Sequence, residues 1–213
     1  LRDLNRYLSP RIEENPVAKR AALSGSCRRE VTVVFSDLRG FTEFSDGAEP
    51  EAVLDLLREY HAAMGQLVVK FHGTVSHLAG DGLMALFNDT IPQEDHTERA
   101  MRMALEMRER AIDLRDSWRQ QNRQLDVGIG LATGWAALGN IGSGARMAYT
   151  AVGNVTNLAS RLCGAANGGQ ILTDHCTASR VARCVHFEPI GQLHLKGFRL
   201  PVSGFNVTRL AAT

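Results

Sequence analysis

No stretch of the 213 residues approaches the roughly 18 consecutive apolar residues that a membrane-spanning helix needs, so no direct membrane contact is expected of this segment. Neither sign of charge is in excess. Lys and Arg number 24 against 23 Asp and Glu, which argues against a nucleic-acid binder working through bulk charge. The four cysteines, Cys27, Cys163, Cys176 and Cys184, form no CxxC pair and no metal-like spacing with histidine. Reduced thiols in a cytoplasmic protein are the expectation. The opening LRDLNRYLSP lacks the apolar centre of a secretory signal. Repeats and low-complexity tracts are absent as well. What is present is ordinary globular composition, 44% hydrophobic and 22% charged, which rules out wholesale disorder.

The chain divides into residues 1–28 and 29–213. In the first part Leu1, Leu4, Leu8 and Ile12 recur at helical spacing before Asn15-Pro16 interrupts, and Ser24-Gly25-Ser26 reads as a linker. This stripe is either a tail packed on the domain or the end of an upstream coiled coil. Because the chain begins at Leu1, an upstream sensor or regulatory region in a longer protein is expected.

From Arg29 onward the pattern is compact. Val31–Phe35 is a β-branched apolar run of the kind a buried strand shows. Residues 50–71 carry apolar positions at steps of three and four, with Pro50 near the start and Gly73 after the end, which predicts a long amphipathic helix. Strands over 74–79 and 83–87 are joined by Gly80-Asp81-Gly82, a tight hairpin. A second helix is predicted over 94–122 and a strand over 125–132. A glycine-rich stretch from Gly134 to Gly144 then leads to a strand near 147–152. A helix over 154–165, a strand over 170–173, a short helix near 175–183 and strands within 185–208 follow. The order β-α-β-β-α-β is a ferredoxin-like α+β plan with extra C-terminal strands. Its crossover makes the first two strands parallel, so Asp37, at the end of the first, and Asp81, in the turn after the second, converge at one sheet edge.

Alone, either aspartate is most simply a turn residue. Together they suit hard divalent cations, which take oxygen ligands and often one or two carboxylates plus substrate phosphates. After Asp37, the segment Leu38-Arg39-Gly40-Phe41-Thr42 opens into a helical turn whose backbone N–H groups suit phosphate. Asn157 and Arg161, four apart, share one helix face. They are either an exposed polar pair or a group in which Arg161 meets phosphoryl oxygens and Asn157 orients a sugar. Lys196, in Leu195-Lys196-Gly197, carries no signal by itself.

Taken in order, Phe35-Ser36-Asp37-Leu38-Arg39-Gly40-Phe41-Thr42, Gly80-Asp81-Gly82, Gly153-Asn154 through Asn157-Leu158-Ala159-Ser160-Arg161, and Leu195-Lys196-Gly197 resemble the class III nucleotidyl cyclase catalytic domain, from about residue 29 to 208. The resemblance implies cyclisation of a nucleoside triphosphate to its 3′,5′-monophosphate with release of pyrophosphate. It implies two Mg²⁺ or Mn²⁺ ions on Asp37 and Asp81, Asn157 and Arg161 as the ribose-orienting and transition-state pair, and Lys196 on the triphosphate. Phe41 and Thr42 fall in the phosphate loop, and Arg146 falls near a basic phosphate-binding position of the family. It further implies a homodimer, with the aspartates of each site from one protomer and the Asn, Arg and Lys from the other.

The base-selecting positions depart from the family pattern. Where adenylate cyclases usually carry Lys and guanylate cyclases Glu, this chain has His77, and the partner position is Thr150, as in one bacterial subgroup of adenylate cyclases. A threonine hydroxyl can accept from the adenine amino group, and no acid is placed to hold the guanine donors. ATP is therefore the expected substrate and an adenylate cyclase the expected enzyme, with weaker base discrimination than Lys would give. A guanylate or mixed-specificity cyclase, and a non-catalytic nucleotide-binding or dimerisation module, are the alternatives.

Overall fold

The structure is a computed structural model that describes residues 26–143 and 146–211. The expected N-terminal helix over residues 1–12 lies outside the described residues. Strand β1 (Cys27–Arg39) leads through a short helix α1 (Phe41–Gly47) into α2 (Pro50–Lys70). Strands β2 (Thr74–Ala79) and β3 (Gly82–Phe87) form a hairpin, and α3 (His96–Gln120) follows. Then come β4 (Asp126–Ser143), β5 (Arg146–Val152), α4 (Asn154–Ala165), β6 (Ile171–Asp174), α5 (His175–Arg180), β7 (Val185–Leu193) and β8 (Val202–Leu210).

The strand order is β2-β3-β1-β4-β6-β8-β7, with β5 paired to β4. Its first half, read as β4-β1-β3-β2, is the expected split βαβ arrangement. β1 and β2 both run antiparallel to β3, which lies between them, so they are parallel to each other without touching. Two details differ from the sequence expectation. β1 does not stop at Asp37 but pairs with β4 as far as Arg39 opposite Asp126. The fourth strand does not stop near residue 132: β4 runs unbroken for 18 residues, through the glycines as far as Ser143, because its backbone groups pair with β1 and then with β5.

The strand alternation divides the core in two. Val34, Leu38, Leu83, Ala85 and Ile129 face α2 and α3, which bury Leu56, Tyr60, Met64, Met103, Met107 and Trp118 against them. Val31, Val33, Ala132, Ala136 and Leu138 face the other way and meet Val155, Ala159 and Leu162 of α4. Glycine makes this second contact close. A Cβ at Gly130 would stand 2.5 Å from the Ala159 carbonyl oxygen and would overlap the Cys163 backbone, so α4 lies almost directly on β4. Among the described residues no helix is long and apolar enough to cross a membrane.

Polar bonds tie the start of α3 to the sheet. The Thr32 hydroxyl lies 2.8 Å from His96 Nδ1 and 2.8 Å from the Thr133 hydroxyl. Burial holds the His96 imidazole below its usual value. The unfolded chain therefore takes up a proton near pH ~6.5 that the folded chain refuses, and stability present above that pH is lost on acidification. Urea unfolding at a series of pH values should show the wild type losing stability from about pH 7 to 5.5 with a steeper slope than His96→Asn; equal slopes would remove this role for His96.

Candidate functional site

Asp37 stands opposite Gly82 on β3 and Gly128 on β4. Ala79 pairs with Gly82, so only Gly80 and Asp81 turn the β2–β3 hairpin, and Gly80 supplies a positive φ of 57° at the first turn position. This register sets the Asp81 turn beside Asp37, whose Oδ1 lies 3.6 Å from where a Gly82 Cβ would be. The two carboxylates therefore meet at one rim of the sheet. The Asp81 carboxyl is pushed above the usual carboxylate range, first by burial and then by the charge of Asp37 beside it. The turn is pinned from α2, where His61 Nε2 donates to the Gly80 carbonyl at 2.8 Å. The Ser36 hydroxyl, next to Asp37, lies 2.8 Å from the buried Tyr60 hydroxyl.

Arg39 braces Asp37 from the other side. Its Nη1 donates to Asp37 Oδ2 at 3.0 Å, its Nε to the Ala166 carbonyl at 2.8 Å, and its Nη2 to the Cys163 carbonyl. Beyond Arg39, Gly40 takes a left-handed φ of 79° where a Cβ would press on the Gln124 carbonyl, and α1 begins with Phe41 and Thr42. Phe41 packs against the core and Thr42 is exposed.

Helix α4 presents the other group. Val155, Ala159, Leu162 and Cys163 are buried against the sheet, and Asn157 and Arg161 are exposed. The helical period thus turns this pair away from the surface that α4 covers. Arg161 makes no ion pair among the described residues, and neither does Lys196. Lys196 is exposed in a turn next to Leu195, which is buried in the same cluster as α4. Arg146 opens β5 opposite Ser143. His77 is exposed on β2, and Thr150 is partly exposed on β5 opposite Gly139. The Ser76 hydroxyl donates to the Tyr149 carbonyl at 2.9 Å, so the strands carrying His77 and Thr150 touch.

Within one chain, then, the two aspartates are brought together, and Asn157, Arg161 and Lys196 are exposed, with neither Arg161 nor Lys196 paired to the aspartates among the described residues. Sequence reasoning missed the residues that hold the carboxylates in place: Arg39, His61 and the pair Gly128 and Gly130. The glycines left a readable signal, since Gly at alternate positions of an apolar strand marks a close backbone approach. Arg39 and His61 left none, because their partners are 124 and 19 residues away.

The donor set fits hard dications. Among the described residues no group of three or more His, Cys, Asp or Glu gathers. Two adjacent carboxylates that repel each other are instead the oxygen pair that Mg²⁺ or Mn²⁺ takes when substrate phosphates complete its shell.

Comparison with known proteins gives the family. The family model for the adenylate and guanylate cyclase catalytic domain matches residues 26–209. The chain is 33% identical to adenylate cyclase 1 of Rhizobium meliloti (strain 1021) over 173 residues, covering 80% of this chain and 26% of that protein. It is 31% identical to an adenylate cyclase of Anabaena cylindrica over 141 residues, 64% of this chain and 27% of that one. It thus spans about a quarter of the length of these curated relatives. Among solved structures, the adenylyl cyclase CyaB from P. aeruginosa superposes with a TM-score of 0.83 at 38% identity, covering 86% of this chain and 96% of that one. The guanylyl cyclase Cya2 superposes equally well, TM-score 0.83 at 33% identity, covering 88% and 95%.

Replacing either carboxylate separates repulsion from cation binding. Asp81→Asn should raise the melting temperature of the metal-free protein, because a like-charged neighbour is removed. Mn²⁺ at about 100 times its Kd should stabilise the wild type by about 2.7 kcal/mol and leave Asp37→Asn and Asp81→Asn nearly unmoved. A thermal shift in Mn²⁺ that survives both substitutions would place the cation elsewhere.

Proposed function

Because this chain belongs to the class III nucleotidyl cyclases, the family of adenylate and guanylate cyclase catalytic domains, we propose that it converts ATP to 3′,5′-cyclic AMP and pyrophosphate at composite sites between two copies of itself. One observation carries this reading. Asn157 and Arg161 are exposed on α4, and among the described residues Arg161 makes no ion pair with either rim carboxylate, whose neighbour Arg39 takes that place. This supports reading the two groups as halves of one chemistry shared between two copies. A second copy supplies the missing half, and by symmetry two equivalent sites form. Exposed apolar side chains support a second copy. Trp135, Ile141 and Val152 are 58%, 57% and 53% exposed. They lie on one face of the β4–β5 ribbon, with Thr150 among them.

In the proposed reaction the ribose 3′-oxygen attacks the α-phosphorus. The new P–O bond forms as the bond to the β-phosphate oxygen breaks, pyrophosphate leaves, and the 3′-hydroxyl proton passes to water. Asp37 and Asp81 hold the cations, which when bound make the 3′-hydroxyl more acidic and neutralise the triphosphate. Arg161 of the second copy donates to the phosphoryl oxygens on which charge builds, and Asn157 orients the ribose beneath it. Lys196 and Arg146 meet the triphosphate as cations, and the N–H groups of Phe41 and Thr42 face its oxygens. Phosphoryl transfer asks the protein mainly for such positioning and charge, so no protein base is assigned.

His77 and Thr150 would read the base, with the Thr150 hydroxyl accepting from the adenine amino group. The relatives named as adenylate cyclases support ATP, whereas the equal likeness to Cya2 supports GTP or mixed use as the second reading. A non-catalytic module has no use for two carboxylates held against their own repulsion. Reduced thiols and ATP as substrate fit a cytoplasmic domain, controlled by a sensor in the longer protein.

Two experiments test this. Product analysis with ATP and GTP separately should give cyclic AMP in excess, and a cyclic GTP excess would transfer the assignment to the second reading. Asp37→Ala and Arg161→Ala should each lose more than about a hundredfold in kcat, since each removes charge stabilisation from both sites. Mixed in equal amounts, they should recover to about a quarter of wild-type activity, because random pairing gives half the dimers one intact site. No recovery on mixing would sink the composite site.

A further inference from the structure

Arg39 lies between the two groups that the proposed reading sends to different active sites. One arm of its guanidinium holds Asp37 Oδ2 at 3.0 Å. The other edge binds the Ala166 carbonyl at 2.8 Å and the Cys163 carbonyl, at the C-terminal end of α4. The Asp37 carboxylate belongs to one site, whereas this chain's α4, with Asn157 and Arg161, belongs to the other. We propose that Arg39 is a positioning residue shared by both sites of the homodimer, fixing the cation-binding carboxylate of one and the transition-state helix of the other. This inference rests on the composite-site reading above.

Three features favour a fixed bridge over a passing surface ion pair. The side chain is only 24% exposed. It is slotted over Gly128, where a Cβ would stand 2.6 Å from the guanidinium carbon and overlap Nη2, so β4 is built to admit it. Its acceptors are also of a kind that arginine alone fits. Two helix-terminal carbonyls and one carboxylate converge on a planar fork, and a cation is favoured at a helix C-terminus in any case. α4 has only 12 residues, and Arg161 precedes Cys163 by two positions. An anchor at Cys163 and Ala166 therefore sets where Arg161 points.

The test uses a dimer with one working site. Pairing an Arg161→Ala chain, which gives its carboxylates, with an Asp37→Ala chain, which gives its α4, leaves one site intact. Arg39→Gln is then placed in either chain. In the carboxylate-giving chain it should raise the half-saturating Mn²⁺ concentration by about tenfold or more, the usual scale for losing a group that orients a metal ligand. In the α4-giving chain it should lower kcat about tenfold with the Mn²⁺ requirement unchanged, because only the helix is displaced. Mn²⁺ titration calorimetry on the Arg39→Gln homodimer, a readout independent of turnover, should show the same weakening. Arg39→Lys keeps the charge without the fork. It should melt close to wild type yet lose kcat in the α4-giving chain, which separates positioning from folding. Gly128→Ala, which displaces the guanidinium without removing it, should reproduce Arg39→Gln. An α4-giving chain whose kcat is unchanged by Arg39→Gln overturns the shared role. A one-site dimer that is inactive before Arg39 is touched overturns the composite site itself, and the shared role with it.

Discussion

Two carboxylates of like charge are held side by side because the β1–β3 and β2–β3 ladders allow no other placement. Opposing Asp37 to Gly82, and turning the hairpin in two residues, leaves Asp81 nowhere to go but the same rim. A one-residue slip of β3 would send Leu83 and Ala85 into the core layer on the other side of the sheet and Met84 and Leu86 into the layer against α2 and α3, so neither layer would pack. The hydrophobic pattern thereby enforces a charge arrangement that is unfavourable in itself. Burial and repulsion both raise the Asp81 carboxyl, and Arg39 relieves only part of that. Such maintained repulsion is frequent at functional sites, and it gives the pair more weight than its residue types alone.

The opposite face obeys a different constraint. Gly128 and Gly130 remove side chains from β4 where Arg39 and α4 press against it, and Cys163 Sγ lies 3.4 Å from the Gly128 carbonyl in the same contact. Burial pushes the Cys163 thiol up to about 11, which keeps it protonated and packed at neutral pH. Once Val155, Ala159 and Leu162 are committed to the sheet, the helical period leaves Asn157 and Arg161 facing outward. Packing, not electrostatics, decides that these polar groups face away from the sheet.

The readable part of this architecture is the part governed by local rules. The apolar run at Val31–Phe35, the three-four spacing of 50–71 and the Gly80-Asp81-Gly82 turn each name their element, and their order names the topology. The convergence of Asp37 and Asp81 followed from that order without any contact being known. Where local rules misled, a long-range partner was responsible. The alternation that marks a strand over 125–132 fades into glycines, yet β1 and β5 recruit residues 134–143 into one 18-residue strand. Asp37 reads as a strand end because the apolar run stops at Phe35, yet pairing with β4 carries β1 on to Arg39. The side chains that brace the carboxylates were unreadable because their value lies in acceptors far along the chain. Arg39 next to Asp37 looks like a simple neighbouring ion pair until the carbonyls of Cys163 and Ala166 are seen on its other edge.

In the proposed dimer this division has a consequence for control. Positioning supplies much of the rate in phosphoryl transfer, and a misplacement of about 1 Å can cost a hundredfold. When carboxylates and arginine reside on different copies, the relative orientation of the copies becomes the variable that sets activity. Each half is stiff: α4 lies on glycines with no slack, and the Asp81 turn is pinned by His61 from α2. A small rotation between protomers would then shift the two backbone frames that carry these side chains relative to each other. An upstream region that biased that rotation could switch the site without touching it.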